Sequence, residues 1–170
     1  VDVARLEPNR AQRRVFRRGE ESFRVEPGEP LVDRRRVELY NLHKRGRRLT
    51  HGERPITAEG YASFLVDTCC DTFELRYYLE DELIGVAVTD RSSRALSAVY
   101  CFFDPQFERL SPGTYSILKQ IELCRQRGLD YLYLGFFLDA PSRMSYKGNF
   151  RPQQRLVRGV WQDVDDDEPF

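Results

Sequence analysis

The sequence contains few of the residues that most often bind metals. Its 170 residues include two histidines and four cysteines, and no two cysteines form a C-x-x-C pair. Zinc and iron–sulfur sites usually depend on such pairs, so no metal site is expected. Cys101 and Cys124 lie in apolar segments and are interpreted as small buried side chains. His43 and His51 have no carboxylate or cysteine at metal spacing and are interpreted as surface residues.

Long apolar runs and common cofactor motifs are missing as well. No stretch approaches the ~20 apolar residues that cross a membrane, and the polar, Arg-rich start shows no signal pattern. The sequence contains neither G-x-x-x-x-G-K-[ST] nor G-x-G-x-x-G, and no nucleophile motif. Hydrophobic residues make up 41% and charged residues 32%, which is typical of a soluble globular domain. We expect a cytoplasmic protein without membrane contact, in which residues 1–162 form one domain and residues 163–170 an acidic, disordered tail.

The net charge of zero hides an uneven distribution. Residues 1–54 hold 15 Lys and Arg against 9 Asp and Glu, a net charge of +6, and residues 55–170 hold a net charge of −6. Residues 8–18 are predicted to be helical and carry a cluster of arginines, namely Arg10, Arg13, Arg14, Arg17 and Arg18. Such a surface suits a nucleic-acid backbone. A solvated helix face balanced by nearby Glu explains the charges equally well.

The central part of the chain predicts a βαβ unit. The run that begins at Tyr100 is apolar and aromatic, and it ends at Asp104-Pro105 because proline cannot continue a strand ladder. Ser111-Pro112 opens a helix, in which Ser can cap and Pro suits the first helical position. Gly128 fits a left-handed C-cap, and residues 131–135 form the next strand.

The order of the remaining elements predicts the fold. Asp33 and Thr57 each precede a helical pattern, and strands at 73–79, 83–89 and 95–103 follow one another through short turns. The strand at 83–89 has almost no polar residue and is placed at the centre of the sheet. A last strand is predicted at 155–164. The fold class is α/β, with a mixed, mainly antiparallel sheet flanked by helices, as in GNAT (acyl-CoA N-acyltransferase)-like proteins.

The candidate site lies at the start of the helix that Ser111-Pro112 opens and in the segment after the strand at 131–135. Free N–H groups at a helix start attract anions, and a glycine there permits close approach, although any capped helix has such groups. Asp104 could deprotonate an attacking amine, or could simply be an Asp-Pro turn residue. Cations after a strand's carboxyl end could grip a carboxylate or a phosphate. The candidate catalytic residues are Tyr100, Asp104 and Tyr146, and the candidate substrate-binding residues are Ser111, Gly113, Thr114, Tyr115, Arg143 and Lys147, with Arg47, Arg76 and Arg109 as further cations.

Several spaced runs resemble the arginyl-tRNA–protein transferase family. They are E-P-N-R-A-Q-R-R, V-A-V-T-D, L-S-A-V-Y-x-F-x-D-P, G-x-Y-S-I-L, Y-L-G-F-F and M-S-Y-K-x-x-F-x-P. The similarity extends from about Arg5 to Trp161 and is strongest to the bacterial branch that moves leucine onto N-terminal Asp or Glu. The family usually has a further N-terminal region rich in cysteines, which this sequence does not include. It also often shows a Y-x-x-Y-x-x-x-R-H pattern, where this sequence has Tyr40, His43, Arg47 and Arg48.

The resemblance implies a reaction and its partners. The chain would transfer leucine or arginine from aminoacyl-tRNA to proteins with N-terminal Asp or Glu, marking them for N-degron degradation. The co-substrate is an activated ester, so no cofactor is expected. The basic first third would hold the tRNA acceptor stem. Two alternatives remain open, an acetyl-CoA-dependent N-acetyltransferase and a non-catalytic module that binds tRNA or N-termini. The acetyltransferases usually carry a longer Gly-rich loop, which Arg109-Leu-Ser-Pro-Gly-Thr matches only in part.

Overall fold

The computed structural model describes residues 1–50, 52–137 and 145–164. Its main sheet has five strands in the order β1-β2-β3-β4-β5. These strands are β1 (Phe23–Gly28), β2 (Asp71–Leu79), β3 (Glu82–Arg91), β4 (Ala95–Phe103) and β5 (Tyr131–Tyr133). The helices are α1 (Arg10–Ser22), α2 (Arg34–Gly46), α3 (Ala58–Leu65) and α4 (Pro112–Gln126), with a first 3-10 helix at Pro105–Leu110 and a second at Ser145–Asn149.

The pairing of the strands confirms the predicted fold class. Strands β1 to β4 form an antiparallel meander, and β4 and β5 pair in parallel across the α4 crossover. Strand β3 lies at the centre of the sheet, and its interior residues 83–89 are all buried. Its apolar sequence predicted this position, because a central strand covered on both faces has no water-facing side.

Local capping explains where the helices begin. The Asp33 carboxylate accepts a hydrogen bond from the Arg36 amide at 2.8 Å, and the Thr57 hydroxyl accepts one from the Gly60 amide at 3.1 Å. These contacts satisfy amide groups that have no partner within a first helical turn. Both caps were predicted. Helix α1 extends to Ser22, beyond its predicted end at residue 18.

The connection before α4 differs from the prediction. Ser111 adopts a left-handed conformation, with φ at 57°, and its side chain makes no capping hydrogen bond. The predicted cap is therefore wrong, although α4 does begin at Pro112. The reason is the first 3-10 helix, which Asp104 caps and which ends at Leu110, directly before Ser111. The chain needs a left-handed residue there to turn from one helix into the next.

The predicted last strand is in fact a hairpin. Strands β6 (Gln154–Val157) and β7 (Val160–Asp163) form a separate two-stranded sheet. Arg158 and Gly159 both have positive φ, at 50° and 83°, which is the conformation of a tight two-residue hairpin turn. Strand β7 includes Asp163, so the predicted tail is not separate from the fold at that residue. Val164 is buried, and its amide donates to the Gln153 carbonyl at 3.1 Å. The remaining residues of the predicted tail, 165–170, lie outside the described residues.

Two hydrophobic layers cover the faces of the sheet. On one face α4 packs over β4 and β5, with Ile117, Ile121 and Leu132 at the centre of the layer. On the other face α2 and α3 pack over β3 and β4 through Leu39 and Tyr61. Within the described ranges, no helix is long and apolar enough to cross a membrane.

Candidate active site

Strands β4 and β5 separate after a short paired segment and leave a gap at the edge of the sheet. Residues 95–97 pair with residues 131–133, and the pairing stops there. Strand β4 nevertheless continues along β3 as far as Phe103. In the described part of the chain, the β5-facing edge of β4 beyond Ser97 therefore has no strand partner. Ligands of α/β sheets usually bind at the carboxyl ends of strands, which is where this gap lies.

A β-bulge in β4 redirects the side chains next to the gap. Ala98 pairs with Thr89 and Tyr100 pairs with Val88, so Val99 is an extra residue without a partner on β3. Ala98 packs with the α4 layer, whereas Tyr100 packs with the layer under α2 and α3. A bulge shifts the alternation of side chains by one residue, and bulges are common next to active sites.

The start of α4 supplies backbone donors close to the end of β4. Pro112 has no amide hydrogen, and the Tyr115 amide donates to the Ser111 carbonyl at 3.0 Å. The amides of Gly113 and Thr114 are therefore the first-turn donors that remain for a ligand. Two such donors suit one phosphate or carbonyl oxygen. The predicted site at residues 111–114 is thus reduced to these two amides.

Tyr146 lies against this helix start. A Cβ atom added at Gly113 would lie 3.7 Å from the Tyr146 hydroxyl and 3.7 Å from Cε1 of Phe103. Burial raises the pKa of Tyr146 to about 12. The phenol therefore stays protonated at neutral pH and can donate a hydrogen bond. The structure brings together two predicted site residues, Gly113 and Tyr146.

Lys147 holds the segment that follows β5. Its Nζ donates to the Leu134 carbonyl at 2.6 Å and to the Phe136 carbonyl at 3.2 Å. Burial lowers the pKa of Lys147, and no described residue forms an ion pair with it. An ammonium group has three donors, so one remains for an anionic ligand. Its predicted companion, Arg143, lies outside the described residues.

Two other predicted residues have structural roles. The Asp104 carboxylate accepts hydrogen bonds from the Gln106 amide and from Gln106 Nε2, both at 3.0 Å. It is 7% exposed and caps the first 3-10 helix, as an Asp-Pro turn residue does. Tyr115 is fully buried, and its hydroxyl donates to Glu20 at 2.6 Å. The prediction that Tyr115 contacts substrate is therefore wrong, because its side chain fills the core instead.

Helix α2 brings a cation and a histidine to the end of β4. The Arg47 guanidinium lies 5.8 Å from the centre of the Phe103 ring and pairs with Glu108. His43 is 6% exposed, and its Nδ1 lies 3.0 Å from the Phe103 carbonyl oxygen and 3.2 Å from the Phe103 amide nitrogen. The interpretation of His43 as a surface residue is wrong, because α2 packs it against β4.

The two remaining alternative cations lie elsewhere. The Arg76 guanidinium donates to the Pro27 carbonyl at 3.0 Å and lies 3.5 Å from Glu74, on the β1–β2 side of the sheet. Arg109 is exposed on the first 3-10 helix. His51, the other predicted surface histidine, lies outside the described residues. In the described ranges, no group of three or more His, Cys, Asp or Glu residues could hold a metal ion.

The arginines of α1 form one face of the helix, on which Arg18 is half-buried and the other four are exposed. A helix turns about 100° per residue, so Arg10, Arg13, Arg14, Arg17 and Arg18 fall within an arc of about 140°. The opposite side, with Gln12 and Gly19, is buried. Among the described residues, one of these five arginines forms an ion pair, Arg17 with Glu21 at 3.9 Å, and both side chains are largely exposed. Four of these arginines therefore have no paired carboxylate among the described residues.

The buried side of α1 contacts the segment beside the gap. Gln12 Nε2 donates to the Asn149 carbonyl at 2.9 Å. Asn149 ends the second 3-10 helix, which also carries Tyr146 and Lys147. Helix α1 therefore packs against the segment that lines the gap, and its arginines lie on the opposite side of the helix from this contact.

Comparison with known proteins identifies the family of this chain. The family model for the C terminus of arginine-tRNA-protein transferase matches residues 35–157. The chain is 34% identical to an aspartate/glutamate leucyltransferase of Pseudoalteromonas atlantica, over 95% of this chain and 69% of that protein. It is 36% identical to the one of Chromobacterium violaceum, over 95% and 66%, and 35% identical to that of Hahella chejuensis, over 89% and 64%. The chain thus spans about two thirds of the length of these relatives.

Solved structures with low sequence identity share the fold. An aminoglycoside acetyltransferase from an uncultured soil metagenomic sample has a TM-score of 0.56 at 11% identity, over 84% of this chain and 97% of that one. The ribosomal-protein-S18-alanine N-acetyltransferase of Escherichia coli has a TM-score of 0.51 at 13% identity, over 74% and 76%. These likenesses confirm the acetyltransferase-like fold. By its sequence the chain belongs to the arginine-tRNA-protein transferase family and contains that family's C-terminal region.

Proposed function

We propose that this chain transfers leucine from leucyl-tRNA to the N-terminal Asp or Glu of acceptor proteins. The observation that supports it most is the gap beside β4, which carries two backbone donors and a protonated phenol and whose lining segment packs against α1. The names of the curated relatives favour leucine, and arginine is the alternative donor. The reaction needs charged tRNA, so we place it in the cytoplasm, and its product would enter N-degron degradation.

The donor occupies the α1 and α4 side of the gap in this proposal. The arginines of α1 contact phosphates of the acceptor stem, a contact that releases counterions and weakens with salt. Lys147 directs its third donor to the terminal phosphate, since it already has two carbonyl partners. The ester carbonyl then lies between the Tyr146 hydroxyl and the amides of Gly113 and Thr114.

The chemistry requires positioning more than activation. The α-amine of the acceptor attacks the ester carbon, the N–C bond forms, and the C–O bond to the terminal ribose breaks. The amine loses one proton, and the ribose oxygen gains one. An α-amino group has a pKa of about 7.7–8.0, so part of it is already neutral near pH 7.5. Tyr146 and the two amides stabilise the developing oxyanion, which is often the largest catalytic contribution. The ester is already activated, so we propose no cofactor.

The geometry is less suited to the two alternatives. Acetyl-CoA carries a diphosphate, and its enzymes usually hold that group on a long Gly-rich loop. Here a 3-10 helix occupies residues 105–110, and α4 offers two first-turn amides. A module that only binds tRNA or N-termini would not need a protonated phenol beside a backbone anion site. Both alternatives predict results that a transfer assay can recognise.

The test supplies labelled leucyl-tRNA, arginyl-tRNA or acetyl-CoA together with peptides that begin with Asp, Glu or Ala. We expect label from leucyl-tRNA on the Asp and Glu peptides. Label from arginyl-tRNA alone would assign arginine as the donated residue. Label from acetyl-CoA would instead make the protein an acetyltransferase. Binding of tRNA without transfer of any label would make it a binding module.

A further inference from the structure

A cavity lies on the face of β4 opposite α4, and it plays no part in the donor site proposed above. It has a volume of about 270 Å³ and opens between α2, α3 and the loop that joins them. Its lining residues are Tyr40, Lys44, Glu53, Arg54, Ile56 and Phe64. A cavity of this size holds a small group such as one amino-acid residue rather than a nucleotide chain.

The walls of this cavity are aromatic and partly uncovered. The Tyr40 ring lies 5.5 Å from the Tyr100 ring, and the Phe64 ring lies 5.6 Å from it, measured between centroids. Phe64 is 52% exposed, although its neighbour Tyr40 is buried. An exposed aromatic side chain at the mouth of a cavity is a common feature of binding sites. The carbon chain of a bound side chain would cover it.

The charges in the cavity favour an anion. The Lys44 ammonium pairs with the Glu53 carboxylate. Arg54 is exposed and forms no ion pair with any described residue. The lining thus has two positive charges and one negative charge, which leaves a net charge of +1. A carboxylate would neutralise it, and a guanidinium can bind a carboxylate through two parallel hydrogen bonds.

The cavity also adjoins the open edge of β4. Tyr100 belongs to the part of β4 that has no β5 partner, and its side chain points toward the cavity because of the bulge at Val99. The Tyr100 hydroxyl oxygen has lone pairs and can accept a hydrogen bond from an amine.

We propose that this cavity binds the side-chain carboxylate of the acceptor's N-terminal Asp or Glu. Arg54 pairs with the carboxylate, Lys44 supports it, and Phe64 covers the methylene groups. Tyr100 holds the α-amine at the edge of β4, where it faces the donor ester in the gap. This inference rests on the proposed function and assigns acceptor specificity to residues on the α2 and α3 face, so that donor and acceptor approach β4 from opposite sides.

The test compares Arg54→Met with Arg45→Met. Both variants lose one exposed positive charge in the same region, and Arg45 does not line the cavity. At saturating leucyl-tRNA, Arg54→Met should raise the KM for an Asp-initiated peptide about tenfold, the effect of losing one charged hydrogen bond. The KM for leucyl-tRNA should not change, and Arg45→Met should behave as the wild type.

Direct binding separates failure of this inference from failure of the proposed function. Calorimetry without tRNA should show that the wild-type chain prefers the Asp-initiated peptide to the matched Asn-initiated peptide, and Arg54→Met should remove this preference. If transfer occurs but Arg54→Met keeps the wild-type KM and preference, the cavity is not the acceptor site. If Arg54→Met raises the KM for leucyl-tRNA instead, the donor occupies the cavity and the inference is wrong. If no transfer occurs but the preference depends on Arg54, the inference holds and the proposed reaction fails.

Discussion

A buried cation, Arg36, and a half-buried one, Lys147, lie in different regions of this molecule, and their partners differ. Arg36 on α2 is 5% exposed, and its Nε lies 3.1 Å from each oxygen of the Glu74 carboxylate. Asp33 pairs with the same guanidinium. Lys147, beside the gap, donates instead to two backbone carbonyls, and in the described part of the chain no carboxylate pairs with it.

The difference separates a structural charge from one that a ligand can use. A buried charge costs free energy unless a partner neutralises it, and Glu74 and Asp33 provide that for Arg36. Carbonyl oxygens solvate the Lys147 ammonium but leave its net charge in place. The charge of Arg36 is therefore neutralised within the folded protein. The gap around Lys147, in contrast, keeps a positive charge that an anionic ligand can neutralise.

The largest effect is expected from a substitution that removes the main partner of the buried Arg36. Glu74→Ala leaves Arg36 buried without its main partner, and it should lower the free energy of unfolding by about 3–5 kcal/mol. Urea denaturation measures this loss. The matched control is Asp71→Ala, which removes the exposed pair with Arg91 and should cost about 1 kcal/mol or less. Equal losses in the two variants would contradict the structural role of the Arg36–Glu74 pair.

The next largest effect is expected from a substitution that fills the gap without unfolding the protein. Ala at position 113 adds a Cβ in ordinary contact with Phe103 and Tyr146, at 3.7 Å from each. Gly113→Val adds two methyl groups in the same space and should lower the transfer rate on the order of 100-fold by displacing the ester. The helix should remain, since a β-branched residue costs under about 1 kcal/mol there. Full activity in Gly113→Val, with Gly113→Ala as the control, would exclude this turn from the donor site.

A smaller effect tests which substrate Lys147 serves. Lys147→Met removes the charge but keeps a long side chain, and it should raise the KM for leucyl-tRNA about tenfold, the effect of one charged contact. Asp-initiated and neutral peptides should be affected equally, because we assign the acceptor carboxylate to Arg54. If Lys147→Met impairs transfer to the Asp-initiated peptide alone, Lys147 binds the acceptor carboxylate and the cavity does not.

The smallest effect concerns Asp104 and the pH profile. Asp104→Asn keeps an acceptor for the Gln106 amide and should change the turnover by about threefold or less. A general base would instead contribute 10²-fold or more. In both proteins the rate should rise with pH as the α-amine loses its proton, near pH 7.7–8.0. It should then stay level, because Tyr146 remains protonated until its pKa of about 12. A large loss in Asp104→Asn, with a shifted acid limb, would make Asp104 the base.

The sequence by itself determined the fold to a large extent. Alternating and apolar runs located β2 to β4, and short-range signals located the starts of α2, α3 and α4. These signals work because capping and periodicity depend on residues within one or two turns of each other. The pattern of the helix start indicated Gly113, and the polar residues after β5 indicated Tyr146 and Lys147; the structure brings these residues to one gap.

The tertiary structure alone decided which candidates share that gap. Tyr115 lies two residues after Gly113 in the chain, yet helix rotation turns it into the core, where Glu20 binds its hydroxyl. The bulge at Val99 turns Tyr100 to the opposite face, and nothing in an isolated strand sequence indicates which residue will lack a partner. The cavity of Lys44, Arg54 and Phe64 is lined by residues 40–64 alone, yet its shape depends on how α2 and α3 pack over β4, which local sequence patterns do not encode.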